Sequence, residues 1–185
     1  GSAQYTPIDE NHPLVAQSPY AASKISADQL AISYKLSFNM PIKIVRPFNV
    51  FGPRQSTRAI IPTIITQILK SKDYVYLGNL EVKRDFTYIQ DLCFAFLCIM
   101  NSSNLFGETI NVGMNDNISV KDLFKLMSLK MKKKIDIKID KKRIRPKNSE
   151  VSNLLCNNEK LLNYTSWNPK YNLSNGLDQT IHWIK

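Results

Sequence analysis

Tyr20 and Lys24 are the residues of this sequence whose types and spacing most directly suggest chemistry. They form a Tyr-x-x-x-Lys pair at the start of a segment, residues 20–39, whose pattern predicts a helix. Residues four apart lie on one face of a helix, with Cβ atoms roughly 5–6 Å apart. A nearby ammonium favours the ionised form of a phenol, which can then take a proton from a hydroxyl group near neutral pH. The pair therefore predicts a general base.

The pair alone also has a plainer interpretation. The sequence holds eight tyrosines and many lysines, so about one chance match is expected, and an exposed helix pair without function fits the same residues. The context favours the functional interpretation. Pro19 is suited to the first helical turn, a β-branched strand at 42–45 follows, and a segment with Pro47, Phe48 and Asn49 comes next.

Composition bounds the class of protein. A chain of 185 residues, 43% of them hydrophobic, suits one domain or one domain with a smaller lobe. No apolar run is long enough to span a membrane, and the polar first eleven residues do not look like a signal peptide. Cys93 and Cys98 lie in an apolar stretch and Cys156 stands apart, so we expect small buried residues rather than a disulfide or a metal site. These features predict a reducing, cytoplasmic setting without a membrane partner.

Most of the net charge of +10 lies in one stretch. Residues 130–147 hold ten lysines and arginines against Asp136 and Asp140, which gives +8. Residues 135–140 alternate between isoleucine and charge, as in a half-buried edge strand. A basic cluster can bind nucleic acid, an anionic membrane or a phosphate-bearing ligand, and it can also be a solvated edge. The stretch has no aromatic residue for base stacking, so no nucleic acid partner is expected.

Helical and strand patterns alternate, which predicts an α/β fold. We expect helices over 20–39, 60–70, 91–100, 119–130, 159–162 and 173–184. We expect strands over 42–45, 74–77, 109–112 and 135–140, and a loop over 46–57.

Six short motifs follow one another over nearly the whole chain. They are SPYxxxK at 18–24, RPFNVFGP at 46–53, RDFTYIQD at 84–91, INVG at 110–113, RP at 145–146, and WNP, GL and TIxW between 167 and 183. This order resembles the extended short-chain dehydrogenase/reductases that act on nucleotide sugars, namely the epimerases and 4,6-dehydratases. The segments GPRQS, IPTIITQ and RPxxSEV look closest to the NAD-dependent 4,6-dehydratases of N-acetylglucosamine nucleotides in legionaminic acid biosynthesis.

The resemblance implies a fold and a domain division. The fold would be the C-terminal part of a Rossmann-like doubly wound sheet plus a small α/β substrate-binding lobe. Residues 1–58 would be a remnant of the NAD-binding domain that carries the Tyr-x-x-x-Lys pair. Residues 59–185 would form mainly the nucleotide-sugar-binding lobe, with some segments returning to the Rossmann sheet. The full-length parent would be a homodimer.

The resemblance also implies roles for individual residues. Tyr20 would be the catalytic base for the sugar 4-hydroxyl, and Lys24 would assist it and hydrogen-bond the nicotinamide ribose of NAD. The backbone around Pro47 and Phe48 would line the nicotinamide end of the cofactor, and Asn49 would hold the sugar-phosphate part of the nucleotide-sugar substrate.

Two arginines would bind the substrate diphosphate. Arg84 and Arg145 suit this role because a guanidinium fork matches phosphate oxygens in a way that lysine does not. The remaining residues of the implied substrate-binding set are Arg54, Ile61, Tyr76 and Asn79.

Plainer interpretations stay open beside these roles. The Asn49 side chain could bond loop backbone, Arg84 could pair with Asp85 or Asp91, and Arg145 could be a solvated charge. The following aromatic residues are more typical of packing than of chemistry: Tyr76, Tyr88, Trp167 and Trp183. The isolated residues His12 and His182 have no partner spacing for a metal, so no metal site is expected.

The glycine pattern of a dinucleotide-binding loop is missing. None of the six glycines forms Gly-x-Gly-x-x-Gly, which lets backbone approach a pyrophosphate at a helix N-terminus. We therefore expect the chain to be the C-terminal fragment of a longer NAD-dependent nucleotide-sugar 4,6-dehydratase, inactive by itself. A 4-epimerase or decarboxylase of the same family is the alternative parent. A non-catalytic nucleotide-sugar-binding module is the alternative from another class.

Overall fold

The computed structural model describes residues 2–71, 73–146 and 149–185 of the chain. The helices in these ranges are α1 (Pro19–Phe38), α2 (Ile60–Lys70), α3 (Ile89–Asn101), α4 (Val120–Lys130), α5 (Glu159–Tyr164) and α6 (Leu173–Ile184), with a 3-10 helix at Lys141–Arg143. The strands are β1 (Ile44–Pro47), β2 (Asn49–Phe51), β3 (Tyr74–Leu77), β4 (Lys83–Arg84), β5 (Phe86–Tyr88), β6 (Thr109–Val112), β7 (Ile118–Ser119) and β8 (Asp136–Ile139).

Local signals set both ends of α1. The Ser18 hydroxyl accepts a hydrogen bond from the Ala21 amide at 3.1 Å, which satisfies one of the free donors of the first turn. Pro19 occupies the first turn, where its missing N–H costs nothing. Asn39 ends the helix in the left-handed region at φ 50°. The predicted helix is confirmed, although none of its residues is buried.

The chain changes strand partners between β1 and β2. β1 runs parallel to β6, with Arg46 opposite Asn111, and β2 runs parallel to β5, with Asn49 opposite Phe86. Only Phe48 separates the two strands. Strands that diverge in this way open a crevice at their carboxyl ends, which is where open α/β sheets bind ligands.

The two other strand pairs lie farther along the chain. β3 runs parallel to β8, and β4 runs antiparallel to β7. The Gln67 side chain covers part of the other edge of β3, because its Nε2 donates to the Tyr76 carbonyl at 3.1 Å and its Oε1 accepts from the Tyr76 amide at 2.8 Å. The predicted strand at 135–140 is confirmed with the bounds Asp136–Ile139.

Two apolar clusters hold these elements together. The larger one packs α2, α4 and α6 against β3 and β5, with Ile64, Leu123 and Leu177 at its centre. The smaller one packs α3 against β6 and includes the buried side chains of Leu161 and Trp167. Burying such side chains contributes about 1.5–3 kcal/mol each relative to exposure.

Several sequence-based expectations are wrong. Residues 46–57 are not all loop, because β1 continues to Pro47 and β2 follows it. Cys98 and Cys156 are buried, but Cys93 is exposed because α3 turns it away from the sheet. Trp167 packs as expected, whereas Trp183 is 52% exposed on the outer face of α6.

The α/β prediction is confirmed by helices packed on parallel strand pairs. Among the described residues, no helix combines the length and the apolar character that crossing a bilayer requires.

Candidate active site

A cavity of about 640 Å³ lies beside α1, at the point where the chain passes from β1 to β2. Its size is in the range of roughly 300–1,000 Å³ typical of small-molecule sites. It is lined by the N-terminal segment, one face of α1 and the end of β1 with the start of β2, together with Asn111 and Leu154. The predicted residues that it brings together are Tyr20, Lys24, Pro47, Phe48 and Asn49.

Tyr20 and Lys24 lie in this cavity as the helical spacing predicts. The Lys24 Nζ is 5.6 Å from the centroid of the Tyr20 ring. The Tyr20 side chain is 72% exposed, and its hydroxyl makes no hydrogen bond within the described residues. Both polar groups are therefore free to meet a ligand.

Tyr20 and Lys24 face the strand crossing, which is the point at Pro47–Asn49 where the chain passes from β1 to β2. Main-chain hydrogen bonds fix this point. The Phe48 amide donates to the Val112 carbonyl of β6 at 2.8 Å, and the Asn49 amide donates to the Asp85 carbonyl at 3.1 Å. The Asn49 side chain, by contrast, bonds to no loop backbone in the part of the chain that the structure describes. Its amide is available to a ligand in the cavity.

The N-terminal segment forms part of the cavity wall, and sequence reasoning did not assign it to the site. Glu10 holds this wall to the sheet, because its Oε1 accepts from the Asn111 amide at 2.8 Å. The Nε2 of His12 accepts from the Gln4 amide at 2.8 Å, and its Nδ1 lies 3.0 Å from the Pro13 carbonyl. His12 thus shapes the cavity wall with both ring nitrogens engaged. The turn-rich composition of this segment gave no signal of that position.

Arg84 lies in a second region, away from the cavity of Tyr20. Its Nη2 is 3.6 Å from the Glu150 Oε1, and only 13% of the arginine side chain and 17% of the glutamate side chain are exposed. Burial lowers the pKa of Arg84, the nearby Glu150 charge raises it, and the nearby Arg145 charge lowers it. The alternative that Arg84 pairs with Asp85 or Asp91 is not what the structure shows: its carboxylate partner is Glu150, which lies 66 residues farther on.

Asp85 and Asp91 instead hold loops through main-chain amides. The Asp85 carboxylate accepts from the amides of Met114 at 2.8 Å and Cys156 at 3.1 Å. Burial raises the pKa of Asp85 to about 6, against the opposing effect of these hydrogen bonds. The Asp91 carboxylate accepts from the amides of Lys170 at 2.8 Å and Tyr171 at 2.9 Å. Asp85 thereby joins β5, the loop after β6 and the segment that follows Glu150.

A family comparison adds to this geometry. The model of the family described as GDP-mannose 4,6 dehydratase matches residues 1–180. The chain belongs to this family. The chain spans 51–59% of the length of the first curated relatives that it matches.

The proteins that are similar to this chain include two kinds of enzyme. The human dTDP-D-glucose 4,6-dehydratase is 29% identical over 183 residues, which are 96% of this chain and 51% of that protein. The solved structure of dTDP-glucose 4,6-dehydratase from Bacillus anthracis in complex with NAD is 27% identical, with a TM-score of 0.86 over 99% of this chain and 57% of that one.

An epimerase is equally similar. The structure of UDP-glucuronic acid 4-epimerase from Bacillus cereus, in complex with UDP-glucuronic acid and NAD, is 26% identical. Its TM-score is 0.90 over 99% of this chain and 57% of that one. The Rossmann-like fold class predicted from the sequence is therefore confirmed for this family member.

The other predicted substrate-binding residues do not line the cavity of Tyr20. Ile61 is buried in the larger apolar cluster. Tyr76 points away from that cluster, into a shallow depression beside α2. The Asn79 side chain accepts from the Glu81 amide at 3.1 Å. Arg54 is exposed and adopts φ 65°, a backbone conformation that costs a non-glycine residue energy. Their binding roles stay predictions.

Proposed function

We propose that the whole protein containing this chain is an NAD-dependent nucleotide-sugar 4,6-dehydratase. The observation that carries this proposal is the meeting of Tyr20 and Lys24 with Pro47–Asn49 in one cavity at the strand crossing. A general base of this type suits oxidation of a sugar hydroxyl. The family match over residues 1–180 supports the substrate class.

The residues of the cavity fit the nicotinamide-ribose end of NAD. A phenol and an ammonium stand side by side on an open wall, and the facing wall is the backbone of Pro47 and Phe48. Lys24 would hold the ribose hydroxyls, and the strand crossing would support the nicotinamide. When bound, NAD⁺ would supply a reversible hydride acceptor for the oxidation at C4 and the reduction at C6.

The chain's own residues would then act on the substrate. Tyr20 would accept the proton of the 4-hydroxyl, and the Lys24 charge would favour its phenolate form. The resulting 4-keto group acidifies the C5 proton, which allows water to leave across C5 and C6. The Asn49 side chain would hold the sugar-phosphate part of the substrate.

The region around Arg84 and Glu150 would hold the nucleotide end of the substrate. Arg84 is half-buried beside one carboxylate and near a second guanidinium, so a diphosphate can balance the charges of Arg84 and Arg145 together. Arg54, Ile61, Tyr76 and Asn79 would border the nucleotide.

A 4-epimerase is the second candidate, and the close similarity to the Bacillus cereus UDP-glucuronic acid 4-epimerase favours it. Both activities share the oxidation at C4. The test is to incubate the full-length protein with NAD⁺ and GDP-, UDP- and dTDP-sugars and to record proton NMR spectra. A 4-keto product with a C6 methyl doublet supports the dehydratase. A product with inverted configuration at C4 and an intact C6 hydroxyl would show that the enzyme is an epimerase and not a dehydratase.

We further propose that residues 1–185 alone do not turn over. Calorimetric titration of this chain with the same nucleotide sugars, and with NAD⁺ in parallel, tests the point. Sugar-nucleotide binding without NAD⁺ binding is the expected result and describes a substrate lobe. NAD⁺ binding with oxidation at C4 by this chain would contradict it.

A further inference from the structure

The helix that carries Tyr20 and Lys24 has little to hold it in place. None of its residues is buried. Its side-chain hydrogen bonds are local, within the helix and its caps, with one exception in the described ranges 2–71, 73–146 and 149–185. That exception is Asp28, whose Oδ2 accepts from the Nε of Arg46 at 2.7 Å.

The two partners of this ion pair stand on the elements that build the cavity. Asp28 follows Lys24 by four residues and Tyr20 by eight, so all three lie on one face of α1. Arg46 belongs to β1 and comes directly before Pro47. Its backbone is held in register against Asn111 of β6. The pair therefore joins the face of α1 that carries Tyr20 and Lys24 to β1, the strand that ends at Pro47.

The environment of the pair makes this link stronger than a surface contact. Both side chains are only 22% exposed, and both line the cavity. A half-buried, charge-assisted hydrogen bond is screened less than an exposed pair and is directional. It restricts both the rotation of α1 about its axis and its sliding along β1. Displacements of about 1 Å at a reacting group can cost on the order of 100-fold in rate.

We propose that Asp28 and Arg46 are positioning residues that hold α1 so that Tyr20 and Lys24 face the strand crossing. Neither is assigned a contact with substrate or cofactor. This inference rests on the proposed function for its kinetic consequence, but its structural consequence can be measured independently.

The experiment compares Asp28→Ala and the conservative variant Asp28→Glu with the wild type in the full-length enzyme. The matched control is Asp178→Ala, which removes a carboxylate from the ion pair of Lys130 and Asp178 on α4 and α6. We expect Asp28→Ala to lower kcat about 10- to 100-fold with less than a threefold change in the KM of the nucleotide sugar. Asp28→Glu should restore at least part of kcat. A raised KM with an unchanged kcat would overturn the inference. Equal decreases of kcat in Asp28→Ala and Asp178→Ala would also overturn it.

Hydrogen exchange supplies the second readout. The amides of residues 21–30 should exchange at least fivefold faster in Asp28→Ala and unchanged in Asp178→Ala. Unchanged exchange together with unchanged kcat would refute the role of the pair. If the wild-type enzyme turns over no nucleotide sugar, the proposed function fails, and the exchange measurement alone then decides whether Asp28 holds α1.

Discussion

The Lys24 Nζ lies 5.6 Å from the centroid of the Tyr20 ring, one turn along the same face of α1. Because both residues belong to one helix, helical geometry alone sets their mutual distance. Tertiary structure has a different task, which is to align the pair with the Pro47–Asn49 crossing. Loss of the phenol and loss of the alignment should therefore be separable by experiment.

Replacing Tyr20 with Phe should lower kcat by about 10²–10⁴-fold, the usual contribution of a general base. Stability should hardly change, because the ring is 72% exposed and its hydroxyl has no hydrogen-bond partner among the described residues. Steady-state kinetics and thermal melting of the full-length enzyme measure the two effects. The control is Tyr34→Phe on the same helix, which should leave kcat unaltered. Similar kcat values for Tyr20→Phe and the wild type would contradict the assignment.

Replacing Arg84 with Lys should raise the KM for the nucleotide sugar about 10-fold or more. The charge is kept, but the fork that matches two phosphate oxygens is lost, and hydrogen bonds to charged groups contribute about 1.5–3 kcal/mol. The opposite exchange at the exposed neighbour, Lys83→Arg, is the control and should leave KM within twofold. An unchanged KM in Arg84→Lys would show that diphosphate binding lies elsewhere.

The pH dependence of stability should carry a contribution from Asp85. Its pKa is about 6 in the folded protein and 3.8 as a free side chain. A raised pKa means that the folded state favours the protonated carboxyl, so this contribution is fully present below about pH 4 and is lost as the pH rises through 6. The size is about 3 kcal/mol, at 1.36 kcal/mol for each unit. Urea unfolding of wild type and Asp85→Asn between pH 4 and pH 8 measures it. The stability of the wild type minus that of Asp85→Asn should fall as the pH rises, and a rise in this quantity would contradict the sign.

Replacing Gly176 with Ala should destabilise the protein by about 1–2 kcal/mol. In an exposed helix this change usually stabilises by up to about 1 kcal/mol. Here the added Cβ would come within 2.6 Å of the Phe51 Cζ and 3.0 Å of the Tyr88 Cδ2, and overpacking of this kind costs about 1–3 kcal/mol. Thermal melting compares it with Gln179→Ala on the exposed face of α6, which should be nearly neutral. A higher melting temperature for Gly176→Ala would refute the tight contact.

Local sequence signals predicted the helices better than the strands. Ser18 and Ser119 are N-caps and Pro19 lies in the first turn of α1, so their effects depend on neighbours within four residues, and the helices that they begin were predicted almost to the residue. β2 and β5 were missed because each has three residues and forms only by pairing with the other, more than thirty residues away. Short strands of this kind have no periodic pattern to detect.

The residues of the candidate site also divide into those that local motifs predict and those that long-range contacts set. Tyr20, Lys24 and Pro47–Asn49 were found from motifs, and the structure places them in one cavity. Two features escaped sequence reasoning: the N-terminal wall segment, which Glu10 holds to the sheet, and the carboxylate partner of Arg84. Both depend on contacts over 60 or more residues of chain, for Arg84 with Glu150 and for Glu10 with Asn111, and no local pattern encodes them.

The Gln67 side chain, bonded to both main-chain polar groups of Tyr76, has a consequence for behaviour at high concentration. An exposed strand edge is a template on which another chain can add a strand and begin aggregation. One amide side chain reproduces the two hydrogen bonds that an incoming strand would make at this position. The middle of the β3 edge is thereby closed to sheet extension.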